Sequence, residues 1–384
     1  MWNPESFIPI IVIWRMIMKS HCDVIIAGAG IVGLSSAYRL AERGARVTVL
    51  DPDQKGGRGS RAAAGVIIPS IRTSSDQSLH DFACQGLNEL NAELRRLAPT
   101  YAIGQRGHGI IRLVADNAAR ENMEAEGEKM QISPGVFHTL DELVHLEPAL
   151  AGSTVYGGFV QEEGYLVDVE AYLDALVYEV TRLGVTLRLG EAALAVSEGE
   201  HKITVQTSTG SLTADWFVLA AGAWSNSIVG LPPLPVFPLR GQMLVVAKPP
   251  LSLKRVISGR CYLAPWRKGG IMVGATEEQV GFRAYNTPDG LLYLLGVLGR
   301  VTPKLRDAQV TTMWAGLRAS TQNARPLIGH LSGTRRIIVA TGHTGQGILT
   351  GALTGRAVTE LIDTDRSDIA AAFALNKEFV HDTH

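Results

Sequence analysis

At 384 residues the chain exceeds one average domain, and 46% hydrophobic residues, 19% charged residues and 41 glycines describe a globular protein with a sizeable core. Its 36 basic and 37 acidic residues leave a formal net charge of −1, which excludes a broad nucleic-acid-binding surface and an acidic tail. Three cysteines, Cys22, Cys84 and Cys261, lack CxxC or Cys/His spacing, which argues against a disulfide scaffold or a bound metal and fits a reducing, cytoplasmic setting.

The chain opens with an apolar run from Phe7 to Trp14. That run is too short to span a bilayer and has neither a basic segment before it nor a small-residue cleavage site after it. Residues 1–19 are therefore expected to be an extension outside the fold, with Met16 or Met18 starting the functional chain. An interfacial anchor giving peripheral membrane association is the alternative.

From Asp23 to Ala27 the β-branched residues predict a short buried strand that ends on a glycine turn. Gly28-Ala29-Gly30-Ile31-Val32-Gly33 follows, then an alanine- and leucine-bearing helix to Arg43 with Gly44 as its stop. Arg46 to Leu50 is a second strand, ended by Asp51. Gly28 permits the tight turn, Gly30 the approach of a pyrophosphate, and Gly33 close packing of helix on strand. The helix N-terminus offers N–H groups and a positive dipole end to phosphates, and Asp51 can accept hydrogen bonds from ribose hydroxyls. Strand, glycines, helix, strand and acid in this order predict a dinucleotide site.

Three later segments favour FAD over NAD. Small residues from Gly56 to Gly65, including Ser60, Ala63 and Ala64, run into Val66, so that backbone can lie flat on a ring system while Ser60 reaches phosphate or ribose. Asp215 to Trp224 reads as a hydrophobic strand entering Ala221-Gly222, placed to extend the parallel sheet. Arg336 to Leu349 reads as a strand passing through Gly342, His343, Thr344, Gly345 and Gln346 into a helix that starts near Gly347 and Ile348. Its N-terminus is expected to face the flavin pyrimidine. Gly347, Gly351 and Gly355 would give that helix one smooth face toward cofactor or sheet.

Together with Ser60–Gly65, Leu239-Arg-Gly-Gln242, Cys261–Pro265, Gly274-Ala-Thr276, Trp314–Arg318 and Gly342-His343, these segments resemble the glycine oxidase branch of the D-amino acid oxidase family of flavoproteins. The likeness runs from about Cys22 to near the C-terminus. It implies an α/β fold in which a Rossmann-like FAD domain (20–90, 150–235 and 320–384) is interleaved with a smaller β-rich α+β substrate domain (91–149 and 236–319). Strand-like runs at 240–246, 260–264 and 270–275, and a helix from Thr287, agree with it. Such folds often assemble as homo-oligomers.

An amino-acid substrate needs its carboxylate held and its Cα–H aimed at the flavin. Arginine does the first best, because its planar fork meets a carboxylate bidentately. Arg318 matches the family's carboxylate-binding arginine, and Tyr262 matches a tyrosine that assists it. Glu277 and Val66 complete the expected substrate pocket. Clamping the carboxylate and excluding water both push the ammonium toward its neutral form, so no general base is assigned. The resemblance implies oxidation of glycine, sarcosine or a small D-amino acid to an imine, with dioxygen reduced to hydrogen peroxide, possible service in thiazole formation for thiamine, and noncovalent FAD, since no cysteine stands near Gly316. Three departures bear on the substrate: Gly345 where that group carries arginine, Glu277 where it often carries methionine, and Arg61 where it carries tryptophan. Other readings are a dehydrogenase or cyanide synthase-type subunit that passes electrons to a quinone chain, and a non-catalytic FAD-containing subunit.

Overall fold

The computed structural model describes residues 21–69 and 76–375; the N-terminal extension lies outside them. The opening unit forms in the expected order: strand β1 (His21–Ala27), helix α1 (Ile31–Glu42) and strand β2 (Val47–Asp51). All five residues of β2 are buried, as befits a parallel strand covered on both faces. Gly44 stands just past the helix with φ +86°, the left-handed conformation that ends helices and suits glycine.

Helix α2 (Gln77–Leu97) received no element in the sequence reading, although Asp76 caps it by accepting from the Leu79 N–H at 3.1 Å. The chain continues through helix α3 (Val169–Arg182), strands β3 (Gly210–Leu219), β4 (Phe237–Ala247), β5 (Tyr262–Pro265) and β6 (Ile271–Gly274), helix α4 (Pro288–Val301), strands β7 (Gln309–Ser320) and β8 (Ile337–Thr341), and helix α5 (Gly347–Thr364). Thr287 caps α4 through the Gly290 N–H at 3.3 Å, with Pro288 in the first turn.

Two eight-stranded sheets organise these elements. In the first, β8, β3, β1, β2 and Thr186–Leu189 run parallel, and antiparallel strands extend it beside β3 and β8. Alternate residues of β1 enter opposite layers: Val24 and Ile26 pack with the helices, Ile25 and Ala27 with the other face. The second sheet has the order β7, β4, β6, β5, Val256–Ser258, Ile110–Val114, Gly157–Gln161 and Val136–Thr139. One face packs on Leu294, Val297 and Leu298 of α4; the other, through Met243, Val245, Ala264 and Met272, packs on Ile68 and Leu166. Gly157–Gln161 sits in this second sheet, so the chain crosses over after that strand rather than at residue 150.

The glycine face of α5, expected from sequence to lie toward cofactor or sheet, packs on α1 at Gly351 and Gly355, while Gly347 lines a cavity. A Cβ on Gly351 would lie 2.7 Å from Ile31 Cγ1, and one on Gly355 would lie 2.7 Å from the Ser35 carbonyl carbon. The helix lacks side chains there so that two helices can cross backbone to backbone.

Candidate active site

The C-terminal ends of β1, β3 and β8 open onto a cavity of about 820 Å³ that reaches the second sheet. Ligands of open α/β sheets bind at this end of the strands. Gly30, Ile31 and Val32 present the N-terminus of α1 to it, Ala221, Gly222 and Trp224 follow β3, and Thr344, Gly345, Gly347 and Ile348 lead into α5. Ser60, Ala63, Ala64, Gly65 and Val66 form a further wall.

Not every expected cofactor residue reaches the cavity. Gly28, Ala29, Gly33, Asp51 and Gln346 lie behind its wall. Gly28 has φ +108°, and a Cβ on Gly33 would come within 1.9 Å of the Gly28 carbonyl oxygen, so only glycine lets α1 start that close to β1. The buried Asp51 carboxylate accepts from three backbone N–H groups: Ala29 at 2.8 Å, Asp53 at 2.9 Å and Gly57 at 3.1 Å. It therefore ties the glycine turn to the 53–57 loop. Ser60 Oγ accepts from the Ile31 N–H at 3.0 Å, satisfying one of the open donors at the helix start. Arg61, the first departure from the family pattern, points away: it pairs with Asp174 at 2.8 Å and donates to the Gly56 carbonyl at 3.0 Å.

A cavity walled by glycine, alanine and a helix N-terminus fits a long, flat, phosphate-bearing cofactor. A Cβ on Gly30 would come within 3.0 Å of Ser60 Oγ and fill part of that cradle. At Gly316 a Cβ would lie 2.5 Å from Ala62 Cβ, because the 62–65 segment rests directly on β7.

The match to known proteins decides the class. The family model for FAD dependent oxidoreductases, DAO, matches residues 23–361. The chain belongs to the FAD-dependent oxidoreductase family. FAD is accordingly its cofactor, and the Rossmann-like fold that the sequence reading expected is the fold observed. The bifunctional protein ThiO/ThiG of a Nostoc species is 33% identical over 368 residues, covering 90% of this chain but 53% of that protein. The chain thus spans about half the length of the bifunctional relatives it matches. Glycine oxidase of Bacillus subtilis is 28% identical and is covered over 94% of its length, against 90% of this chain. The crystal structure of glycine oxidase from Geobacillus kaustophilus superposes with a TM-score of 0.87 at 26% identity, covering 93% of this chain and 99% of that one.

In this FAD-dependent oxidoreductase one end of the cavity lies against the second sheet, where Tyr262, Glu277 and Arg318 converge. Arg318 projects from β7 with its side chain 16% exposed, donates to the Thr276 carbonyl at 3.1 Å and stands 3.9 Å from the Glu277 carboxylate. Gly241, two residues along β4 from Leu239, the register partner of Arg318, has no side chain to block the guanidinium: a Cβ there would lie 2.9 Å from Arg318 Nη2. Tyr262 directs its hydroxyl to Met243 Sδ at 3.7 Å. His343 is buried and bonds Thr354 Oγ1 at 2.9 Å, and burial lowers its pKa to about 4. It is neutral and lines the cavity at the turn into α5.

Sequence reasoning missed several residues of this pocket. Arg260, Cys261, Glu278, Asp289 and Tyr293 also line it. Burial raises Glu278, but hydrogen bonds from Arg240, Thr276 and Gln242 outweigh burial and bring it down to about 2. Burial pushes the Cys261 thiol up, which keeps it in its unreactive form. The Leu239–Gln242, Cys261–Pro265 and Gly274–Thr276 motifs signalled this region, and none of them pointed to Glu278. Among the described residues no cluster of His, Cys, Asp or Glu could hold a metal, and no helix is long and apolar enough to cross a membrane.

Proposed function

We propose that the chain oxidises glycine or another small amino acid or N-substituted glycine at Cα. The observation that carries this reading is Arg318, a largely buried guanidinium at the end of the cavity opposite the nucleotide-binding turn. Its fork binds the substrate carboxylate, Tyr262 adds a hydroxyl beside it, and Glu277 gives way to the incoming carboxylate. Binding in this dry pocket favours loss of the ammonium proton, which frees the nitrogen lone pair to drive hydride departure. Ala64, Gly65 and Val66 line the same cavity with backbone and small side chains.

When bound, FAD supplies the two-electron acceptor for the hydride leaving Cα, and dioxygen would then take those electrons as hydrogen peroxide. The imine adds water and separates into an oxo acid and ammonia. Relatives carrying both ThiO and ThiG in one chain support a role in forming the thiamine thiazole, with the imine passed on before it hydrolyses. The nucleotide end is held by the α1 N-terminus, with Ser60 and Asp51 ordering the loops around it. The proposed division is an FAD domain of residues 20–90, 150–235 and 320–384 and a substrate domain of residues 91–149 and 236–319, with the exception that Gly157–Gln161 pairs into the second sheet.

The test is anaerobic addition of glycine, sarcosine and several D-amino acids to the loaded enzyme, followed by air. Bleaching of the visible flavin band with peroxide-yielding recovery is the expected result. Failure of every amino acid to bleach a fully loaded flavin would overturn the assignment.

A further inference from the structure

Arg318 is held by a network that the proposed reaction does not itself use. Thr276, whose carbonyl accepts from Arg318, follows β6 and is 6% exposed. Its Oγ1 donates to Glu278 Oε1 at 2.6 Å and accepts from the Gln242 N–H at 2.9 Å. Gln242 Nε2 donates to the same Glu278 oxygen at 2.8 Å. Arg240 Nη2 donates to the other at 2.5 Å, and paired backbone bonds of 2.9 and 3.0 Å join Arg240 to Glu278. Arg240 and Gln242 lie on β4, the strand paired with β7 in the register Leu239 to Arg318.

We infer that Glu278 is a positioning residue for the substrate-carboxylate site: it pins Thr276 so that the Thr276 carbonyl holds the Arg318 guanidinium at one angle. This rests on the reading of Arg318 given above and assigns a role one step behind it.

Two alternatives fail on geometry. Glu278 as a proton acceptor is disfavoured because its oxygens already receive Arg240, Thr276 and Gln242, which occupy most of the lone-pair sites a carboxylate offers. Arg240 as a second substrate ligand is disfavoured because it is 4% exposed, does not line the cavity, and spends further donors on the carbonyls of Arg283 at 3.3 Å and Tyr285 at 3.2 Å. What remains is a partly buried ion pair, with the Arg240 side chain 5% and the Glu278 side chain 28% exposed, that braces Thr276.

The inference makes a prediction whose sign separates it from simple electrostatics. Removing a negative charge near Arg318 without moving anything would strengthen binding of an anionic ligand. Releasing the Thr276 carbonyl would weaken it, because the guanidinium loses its fixed fork. The probe is acetate, a carboxylate with no oxidisable amine, titrated into the FAD-loaded enzyme and followed by the shift of the visible flavin band and by calorimetry.

Glu278→Gln is expected to weaken acetate at least tenfold and to raise KM for glycine by a similar factor, with kcat changed less. Thr276→Val keeps the Glu278–Arg240 pair but removes the hydroxyl link, and is expected to weaken acetate at least threefold, with Thr276→Ser restoring it. The Thr276 pair carries the test if Glu278→Gln does not fold. Acetate affinity unchanged or tighter in a folded, FAD-loaded Glu278→Gln, or unchanged in Thr276→Val, overturns the inference. Arg318→Lys separates the two readings. If it weakens acetate while the Glu278 and Thr276 variants do not, only the positioning role falls. If Arg318→Lys leaves acetate untouched, the carboxylate site itself is wrong and the positioning role goes with it.

Discussion

Replacing Arg318 by alanine tests the site most directly, and its cost can be worked from the structure. Truncating one partner of a desolvated charge pair costs about 3–5 kcal/mol, mostly because the other charge is left unpaired. With its side chain 16% exposed, Arg318 belongs to the buried class rather than the surface class. One correction lowers the figure: Glu277 at 3.9 Å already offsets part of the guanidinium's field, although its 46% exposure lets water screen much of that. A second raises it, since in the variant the substrate carboxylate would face Glu277 with no cation between them. The two partly cancel, so the expected loss stays at about 3–4 kcal/mol, or roughly 10²- to 10³-fold in kcat/KM at 1.36 kcal/mol per decade. Arg318→Lys should recover part of it, because the charge returns without the fork. The assay is steady-state turnover of the best amino acid, with flavin content and thermal unfolding measured beside it. A folded, loaded Arg318→Ala enzyme within threefold of the parent kcat/KM would refute the reasoning.

Glu277→Gln removes the carboxylate beside Arg318, and screened charges near 4 Å interact by about 1 kcal/mol; KM for glycine should fall several-fold, and an unchanged or higher KM would show that Glu277 does not oppose the substrate carboxylate. Gly355→Ala pushes a methyl onto the Ser35 backbone, which cannot yield as a side chain would, so unfolding free energy should fall by about 1–3 kcal/mol while flavin spectra stay unchanged. His343 is neutral when folded, with its pKa at about 4, whereas unfolded it titrates near its usual 6.5. The unfolded state therefore binds more protons between those values, and His343 costs stability progressively as pH falls from 6.5 to 4, about 3 kcal/mol in all. His343→Asn should lose less stability than the parent across that window in denaturant titrations; parallel pH profiles would contradict the assignment.

The nucleotide half was legible because its constraints are local. A glycine turn, a helix start and an acid at the end of the next strand follow one another within thirty-odd residues, and each obeys a rule about backbone space or charge. Arg318 and Tyr262 were legible through motifs, and the structure brings both to one cavity with Glu277. Local reading was incomplete where a residue's partner is distant in the chain. Asp51 was expected to meet ribose, and only the structure shows that its carboxylate also gathers backbone N–H groups from two loops. The Gly347, Gly351 and Gly355 face was evident as a smooth stripe, but that α1 fills it depends on how two helices 300 residues apart cross the first sheet. Glu278 shows the limit most clearly. Beside Glu277 it reads as one more surface acid, and only the pairing of β4 with β6 and its continuation into the Arg240–Glu278 bridge set it against Arg240, Gln242 and Thr276. Sequence by itself determined the cofactor class and the parallel core and singled out Arg318, because periodicity, glycine placement and motif spacing encode them along the chain. Tertiary structure alone decided which polar groups satisfy one another, because a buried hydrogen bond depends on distance in space, and strand register and helix crossing set that distance.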